Sequence, residues 1–529
     1  MKKYLVILIH LSFCLLNAIP VSFNLTQINF ENAIANQNYQ KILRIYNQSS
    51  VNQDITLLHN NRSFTFSDTL FSISANDSID IQVNFNGKHN IEYKDVFYFI
   101  NSLNQTPSVL QANVAVNYSQ SLYAPTFNKW DSELKSTLLS LVNNHHSIGY
   151  TEAREEMFSS IDNVNGYVEC VYTGQLVQTS GIPDNNVMNC EHTWPQSMGA
   201  EGVAKSDLNH LFPTNSTANS VRGNLPFGVV VSGQNWSVGG SKRGYNAQGT
   251  QVFEPRDVHK GDVSRAMFYF SVRYNNPSSP FFNDQEAVLR QWHYQDLVSL
   301  KETNRNNAIE EIQNKRNPFI DHPEFVDRLF SIATTANRPQ VASFYFPIQS
   351  VNADNMSNVS IPVSNFGNAV LNISSVTSSN SNFLVNLYPS SIPSGQYGMI
   401  ELSIPGSGDN QITTLNVYTS TGNYTITVSS QTTSTDNQIL NPQYFDFSVY
   451  PNPVNSIAHI ALNSNLKNTD PIKVSIYNLK GQRIETTIYQ NPLVKSSIDF
   501  KSDKYANGIY FIRLEQGNQY QTKKIIVMK

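Results

Sequence analysis

A short stretch, residues 191–222, carries the side chains best suited to chemistry: Glu191, His192, His210, Asn219 and Arg222. Hydrolysis of a phosphodiester needs a group that deprotonates water near neutral pH, and an imidazole suits that task. The phosphoryl charge needs a nearby cation, and a hard divalent ion takes carboxylate and carboxamide oxygens as ligands. A guanidinium matches phosphate oxygens with its fork of donors. These side-chain types therefore indicate metal-assisted attack on a phosphodiester.

The local structure decides whether these groups meet. Consecutive side chains of a strand point to opposite faces, so Glu191 and His192 serve one site only where the chain bends, and Pro195 fits such a bend. Asn219 and Arg222 are three residues apart, so on a helix they share a face. Gly223 is a suitable residue to end that helix.

The N-terminus is typical of an export signal. Lys2 and Lys3 precede an apolar run over residues 4–16, and we predict a signal peptide over residues 1–18. The run is too short to span a bilayer comfortably, and no later run is long enough, so no transmembrane segment is expected in the mature chain. Cys170 and Cys190 then remain, and an exported pair predicts a disulfide worth about 3 kcal/mol. The alternative is two buried free thiols.

Length, charge and residue pattern limit the number and the type of the domains. A chain of 529 residues predicts three or four domains, and a net charge of −4 gives no bulk attraction for nucleic acid. Residues 19–118 alternate apolar and polar side chains between polar turns, which predicts an immunoglobulin-like β-sandwich. Helical spacing is frequent in residues 119–340, and alternation returns in a second predicted sandwich, 341–432. A small all-β module is expected over residues 445–529.

Several motifs of the central region, in order, resemble the bacterial endonuclease I family, whose members are nonspecific nucleases with a His-Me finger, or ββα-metal, core. The similarity covers about residues 128–335. Its motifs are Val171-Tyr172-Thr173-Gly174, Glu191-His192, Asp207-Leu208-Asn209-His210-Leu211-Phe212-Pro213, Asn219 through Asn224, Phe253-Glu254-Pro255, Trp292-His293 and Arg316-Asn317-Pro318-Phe319.

This resemblance implies roles for the residues. His192 would be the general base, and Glu191 and Asn219 would hold one divalent ion, Mg²⁺ by default with other divalent ions open. DNA, with RNA left open, would be cleaved without sequence specificity to 5′-phosphate products. Well-described family members have a phosphate-binding Arg after the His, but residues 201–206 offer only Lys205. Arg222 and Lys205 are therefore the candidates for substrate phosphate.

The C-terminal region resembles the sorting domain of type IX secretion. Its motifs are Tyr450-Pro451-Asn452-Pro453, Lys480-Gly481-Gln482, Asn507-Gly508-Ile509-Tyr510 and the basic tail Lys523-Lys524. The resemblance implies the type IX secretion machinery as a partner, export across the outer membrane, and a released or surface-attached product.

The sequence thus predicts a multidomain secreted endonuclease. A central α+β His-Me finger nuclease domain is flanked by all-β immunoglobulin-like sandwiches and a small C-terminal all-β sorting domain. Two alternatives stay open. One is a surface adhesin whose nuclease domain is degenerate, against which the intact Glu191, His192 and Asn219 argue. The other is a zinc-dependent hydrolase, which metal replacement would distinguish.

Overall fold

A computed structural model describes residues 20–527, except 275–279, 349, 355, 405–410, 431–444, 451, 453, 455, 465–470, 479–480, 491–496 and 517–518. The predicted signal peptide over residues 1–18 lies outside the described residues. The described chain is multidomain, with several β regions and one region rich in helices. Among its described helices, none has the length and apolar character needed to cross a membrane.

The N-terminal β region consists of two facing sheets, with strand orders β1-β4-β8-β6 and β2-β10-β9-β5-β7, and β3 pairs with β10. The predicted alternation is confirmed in β4, where Leu43 and Ile45 are buried and Ile42 is exposed. The strands are β1 (Ser22–Phe23), β2 (Gln27–Ile28), β3 (Ala33–Ile34), β4 (Asn38–Tyr46), β5 (Gln53–Leu58), β6 (Phe64–Phe66), β7 (Leu70–Ile73), β8 (Ser78–Asn86), β9 (Glu92–Asn101) and β10 (Ser108–Asn117).

The central region holds all the α-helices among the described residues, together with short strands. Its helices are α1 (Asp131–Val142), α2 (Tyr150–Glu156), α3 (Ser216–Arg222), α4 (Lys260–Tyr274), α5 (Pro280–Asn283), α6 (Glu286–Gln295), α7 (Leu300–Gln313) and α8 (Pro318–Asp321). Its strands are β11 (Asn163–Val164), β12 (Tyr167–Glu169), β13 (Leu176–Gln178), β14 (Met188–His192), β15 (Leu211–Asn215), β16 (Ser232–Val238), β17 (Ser241–Tyr245) and β18 (Gln251–Glu254).

Helix α4 is the centre of this region, because nearly all its side chains from Gly261 to Val272 are buried. One core surrounds it and extends from Leu134 on α1 to Ile332 near the end of the region. The core includes Trp194, whose ring stacks on Phe270 of α4 with centroids 4.6 Å apart. The segment after β14 is therefore fixed against the central helix.

A second pair of sheets follows, with orders β19-β21-β25-β23 and β20-β27-β26-β22-β24; the C-terminal part has sheets β28-β29-β32 and β31-β30-β33-β34. The strands of the second pair are β19 (Phe344–Tyr345), β20 (Ser350–Asn352), β21 (Asn358–Asn365), β22 (Leu371–Ser378), β23 (Leu384–Leu387), β24 (Ser391–Ile392), β25 (Gln396–Ser403), β26 (Gln411–Thr419) and β27 (Gly422–Ser430). The C-terminal strands are β28 (Phe445–Tyr450), β29 (Ile457–Ser464), β30 (Ile472–Asn478), β31 (Arg483–Tyr489), β32 (Ser497–Lys501), β33 (Gly508–Gln516) and β34 (Gln519–Val527).

The β regions before and after the helices contact each other. Val96 and Tyr98 of β9 belong to the same buried core as Val363 and Val417. The Tyr98 hydroxyl is hydrogen-bonded to that of Ser364. On the other side, the buried guanidinium of Arg328 donates to Asn90 Oδ1. The N-terminal β region is thus attached to both segments that follow it.

Candidate active site

The candidate residues lie on one small unit, in which β14 pairs antiparallel with β15 and α3 follows directly. Glu191 is opposite Phe212, and His192 is opposite Leu211. Asn215 caps α3, because its side-chain oxygen accepts hydrogen bonds from the Thr217 and Ala218 amides. Gly223 ends the helix with a φ of +52°, as the sequence predicted.

Glu191 is almost fully buried, with 1% of its surface exposed. Its Oε1 accepts a hydrogen bond of 2.8 Å from the Tyr172 hydroxyl and lies 3.3 Å from Arg222 Nε. Burial raises the pKa of the Glu191 carboxyl, while the nearby Arg222 charge and the Tyr172 hydroxyl lower it. No described residue donates a hydrogen bond to Oε2, so this oxygen is free to bind a cation.

The carboxamide of Asn219 has a defined orientation. Its Nδ2 donates to Asn189 Oδ1 at 2.7 Å and to the Cys190 carbonyl at 3.2 Å. Two acceptors on the nitrogen leave Oδ1 as the outward atom, and no described residue donates to it. Asn189 and Glu191 share one face of β14, so Asn219 lies on the face that carries the Glu191 carboxylate.

His192 has its own pair of contacts. Its Nε2 lies 3.1 Å from the Lys205 carbonyl oxygen, which only accepts, so Nε2 carries the proton of the neutral ring. Nδ1 therefore has the lone pair, and it lies 3.4 Å from Gln196 Nε2, a donor. Burial lowers the pKa of His192 to about 3, so the imidazole is neutral at pH 7.

The chain bends after His192 and not between Glu191 and His192. His192 is the last residue of β14, and the chain turns at Pro195 into a 3₁₀ turn over Gln196–Met198. Within the described part of the chain β14 pairs only with β15, so its other edge pairs with no strand. Glu191 and His192 point to opposite faces and border that edge from both sides.

Buried residues below the site hold the loop that contains Ala204 and Lys205. The carbonyls of Ala204 and Lys205, one after the other, contact Nε2 of His210 and His192. His210 is fully buried, as expected of a structural residue. Asp207 ends the same loop and accepts hydrogen bonds from two tyrosine hydroxyls, those of Tyr269 and Tyr274.

Arg222 does not match its predicted role. Only 1% of the residue is exposed, and its terminal nitrogens donate to the carbonyls of Gly223 and Thr193. The guanidinium is directed inward because it neutralises the buried Glu191 carboxylate. Arg222 is therefore placed to position Glu191. Of the two residues predicted to bind substrate phosphate, Lys205 is the one with an accessible side chain.

The predicted disulfide is also corrected, since Cys170 and Cys190 are buried free thiols. The Cys170 sulfur accepts hydrogen bonds from the amides of Thr173 and Asn215. Cys190 lies on β14 on the same face as His192. The two sulfurs thus occupy different packing environments, and the alternative of free thiols fits the structure.

Four further residues contact the site and were missed by sequence reasoning: Tyr150, Arg154, Tyr172 and Gln196. The Tyr150 ring lies 5.3 Å from that of His192. Tyr150 and Arg154 lie four residues apart on α2, which is the helical neighbour spacing, but nothing in the sequence connected α2 to β14. Tyr172 belongs to a motif that was noticed without a role.

The predicted donor set can be tested against metal chemistry. A carboxylate and a carboxamide oxygen are hard ligands, and Mg²⁺ takes one or two such protein ligands while keeping waters. The unbonded Oε2 of Glu191 and Oδ1 of Asn219 fit that demand. Among described residues, no group of three or more His, Cys, Asp or Glu side chains is placed to hold a metal ion.

The chain matches two known families and is similar to two known extracellular proteins. The family model for Endonuclease I matches residues 130–324, and the model for a secretion system C-terminal sorting domain matches residues 448–528. The extracellular ribonuclease of Bacillus subtilis (strain 168) is 34% identical over 232 residues, which cover 39% of this chain and 77% of that protein. That of Bacillus amyloliquefaciens is 32% identical over 237 residues, 40% and 78% of the two chains.

One solved structure with local similarity is the ASH/PapD-like domain of human CEP192. It is 9% identical, covers 22% of this chain and all of that domain, and has a TM-score of 0.18. The matches to family and relatives define a nuclease, a hydrolase that acts on phosphodiester bonds. The chain belongs to the Endonuclease I family. Its type IX sorting domain makes it a secreted or cell-surface protein, so both predicted resemblances are confirmed.

Proposed function

We propose that this protein is a metal-dependent, sequence-nonspecific endonuclease that cleaves DNA to 5′-phosphate products. His192 acts as general base, and Glu191 and Asn219 hold a divalent ion, Mg²⁺ by default. RNA is a second candidate substrate, because both similar Bacillus proteins are named extracellular ribonucleases.

One observation carries the proposal: the hydrogen bonds around His192. The Lys205 carbonyl binds the Nε2 proton, so Nδ1 carries the lone pair, and a water that replaces Gln196 Nε2 at Nδ1 can give it a proton. The water oxygen then forms a bond to phosphorus, and its proton passes to Nδ1. The bond from phosphorus to the 3′ oxygen breaks, and that oxygen takes a proton from solvent. The products are a 5′-phosphate and a 3′-hydroxyl.

The metal site uses the free oxygens of Glu191 and Asn219. When bound, a divalent ion supplies positive charge that stabilises the phosphoryl oxygens and the leaving 3′ oxygen. Burial raises the pKa of Glu191, and Arg222 and Tyr172 oppose that rise and orient the carboxylate. The same pair of contacts supports Glu191 as a ligand rather than as a proton donor.

We further propose that β14, β15 and α3 are the His-Me finger core of a nuclease domain over residues 119–340. The flanking modules, 19–118 and 341–432, would be immunoglobulin-like sandwiches, and 445–529 the sorting domain. The two facing sheets in each flanking region support this assignment.

The test uses the purified full chain on plasmid DNA and on RNA, first with EDTA and then with Mg²⁺, Mn²⁺ or Zn²⁺ restored. Mg²⁺ should restore cleavage with 5′-phosphate ends. His192→Ala should lower the rate at least 10²-fold, while the exposed His146→Ala leaves it unchanged. Restoration by Zn²⁺ alone would favour a zinc hydrolase. Nucleic-acid binding without cleavage under all metals would favour an adhesin.

A further inference from the structure

Two cations from separate elements converge on the ring of Tyr150. The Arg154 guanidinium, on α2, is 5.6 Å from the ring centroid. The Lys205 ammonium, from the 3₁₀ turn Gly202–Ser206, is 4.9 Å from the same centroid. Tyr150 in turn faces His192, so both positive charges border the imidazole side of the candidate active site.

These two cations differ from most others nearby, because neither has a carboxylate partner in the described part of the chain. Arg256 and Arg265 pair with Glu169 and Glu302, and Lys260 pairs with Glu254. By contrast, Arg154 makes a single neutral contact through Nη2 to Asn185 Oδ1 at 2.8 Å.

The Arg154 side chain also has an unsatisfied donor. Its Nε is buried and has no hydrogen-bond partner. A buried donor without a partner is unfavourable in a folded protein, and a half-buried guanidinium without an anion is more so. The second penalty vanishes when a phosphate oxygen binds the guanidinium.

We propose that Arg154 and Lys205 bind the scissile phosphate. The guanidinium is supplied by α2 and the ammonium by the 3₁₀ turn that follows His192 in the chain. This inference rests on the proposed function, since it places the phosphodiester beside His192. Tyr150 is a positioning residue, because its ring holds both cations in place by cation–π contacts.

The experiment measures binding of an uncleaved DNA duplex by the full-length His192→Ala protein at several salt concentrations. Each lost phosphate contact should reduce the slope of log K against log salt by about 0.9. Arg154→Ala in that background should show this loss, and Arg154→Lys should recover most of the slope. Arg44→Ala, an exposed cation of the N-terminal β region, is the control and should leave the slope unchanged.

In the protein that keeps His192, Arg154→Ala and Lys205→Ala should each lower kcat at least tenfold, with Tm within a few degrees of the parent. An unchanged salt slope for Arg154→Ala overturns the proposal, even if activity falls, since a purely structural residue would give that result. Cleavage by His192→Ala at close to the parent rate would instead count against the general base, while the salt slopes would still test the phosphate site.

Discussion

At the scale of single residues, the site depends on which atoms are left without partners. Asn189 and Cys190 take the nitrogen of the Asn219 amide, so its oxygen faces outward. Tyr172 and Arg222 occupy one oxygen of Glu191, so the other is free. These contacts leave two hard oxygen atoms available for the divalent ion that we propose.

Removal of one ligand tests this arrangement. Asn219→Ala should raise the Mg²⁺ concentration for half-maximal cleavage at least tenfold, because an oxygen ligand is lost. The measurement is a Mg²⁺ titration of plasmid nicking by the full chain. Asn186→Ala, an exposed amide on the loop before β14, is the matched control. An unchanged Mg²⁺ requirement for Asn219→Ala would remove that residue from the ligand set.

The Tyr172 hydroxyl should also be needed for full activation by Mg²⁺. Tyr172→Phe deletes the 2.8 Å hydrogen bond to Glu191 Oε1 while keeping the ring. We expect roughly 10-fold weaker Mg²⁺ activation, which is the usual effect of losing a group that orients a ligand. Tyr245→Phe, on an exposed strand position, should behave as the parent does. Equal Mg²⁺ titrations for both variants would show that the hydroxyl has no such role.

Sequence alone singled out candidate residues, whose roles stay predictions, but not the partners of those residues. Glu191, His192 and Asn219 were recognisable from type and spacing within one short stretch. Arg222 was misassigned because helical spacing gives the face a side chain shares but not whether its tip points to solvent. Tyr150 and Arg154 could not be found, because their proximity to His192 depends on how α2 packs across β14.

At the scale of elements, α3 is short and depends on its ends. Seven residues give an isolated helix little stability, so capping and packing hold it. Asn215 provides the N-cap, and this residue is also the last of β15. The cap therefore connects the strand that pairs with β14 to the helix that carries Asn219.

Loss of the cap should affect both stability and catalysis. Asn215→Ala should lower the free energy of unfolding by about 1 kcal/mol. It should also reduce cleavage, since Asn219 follows one turn later. Asn215→Asp keeps a capping oxygen and should retain most of both. Chemical denaturation and nicking rates measure the two effects; equal values for the Ala variant and the parent would contradict the prediction.

Elements with one exposed face were predicted well, and α4 was not. Alternation in β4 and β8 gave the buried side chains correctly, because one face of each strand packs on a core. The helical spacing of Val263, Ala266, Met267 and Phe270 predicts a single apolar stripe on α4, but the helix is buried on almost every side. Its polar Arg265 and Tyr269 are buried because Glu302 and Asp207 bind them. Such long-range partners leave no local pattern.

At the scale of the whole molecule, stability should depend on pH through buried histidines. Burial lowers the pKa of His89 and of His293 to about 4, against about 6.5 in an unfolded chain. The unfolded state therefore binds more protons below pH 6.5, so the stability present above that pH is lost as pH falls. Each histidine should contribute roughly 2 kcal/mol of this loss between pH 7 and pH 5.

The expected result is a Tm that decreases from pH 7 to pH 5. His293→Gln should flatten that decrease, because one buried imidazole is gone, whereas His146→Ala at the surface should not. Asp327, whose pKa is lowered, loses its charge only at lower pH. Burial raises the pKa of Glu302 to about 8, so Glu302 takes up a proton in the same window with the opposite effect on stability, and the prediction therefore concerns the difference between the parent and His293→Gln. Parallel curves for parent and His293→Gln would contradict the prediction.

The contacts of Arg328 determine where a stable fragment that contains the nuclease domain can begin. This guanidinium is fully enclosed, and its donors reach back to Asn90 as well as to the carbonyls of Thr126 and Lys129. A fragment starting near residue 119 would retain the charge but lose the Asn90 amide that receives it. A minimal, excisable enzyme should therefore begin upstream, with its neighbouring module included as part of the catalytic unit.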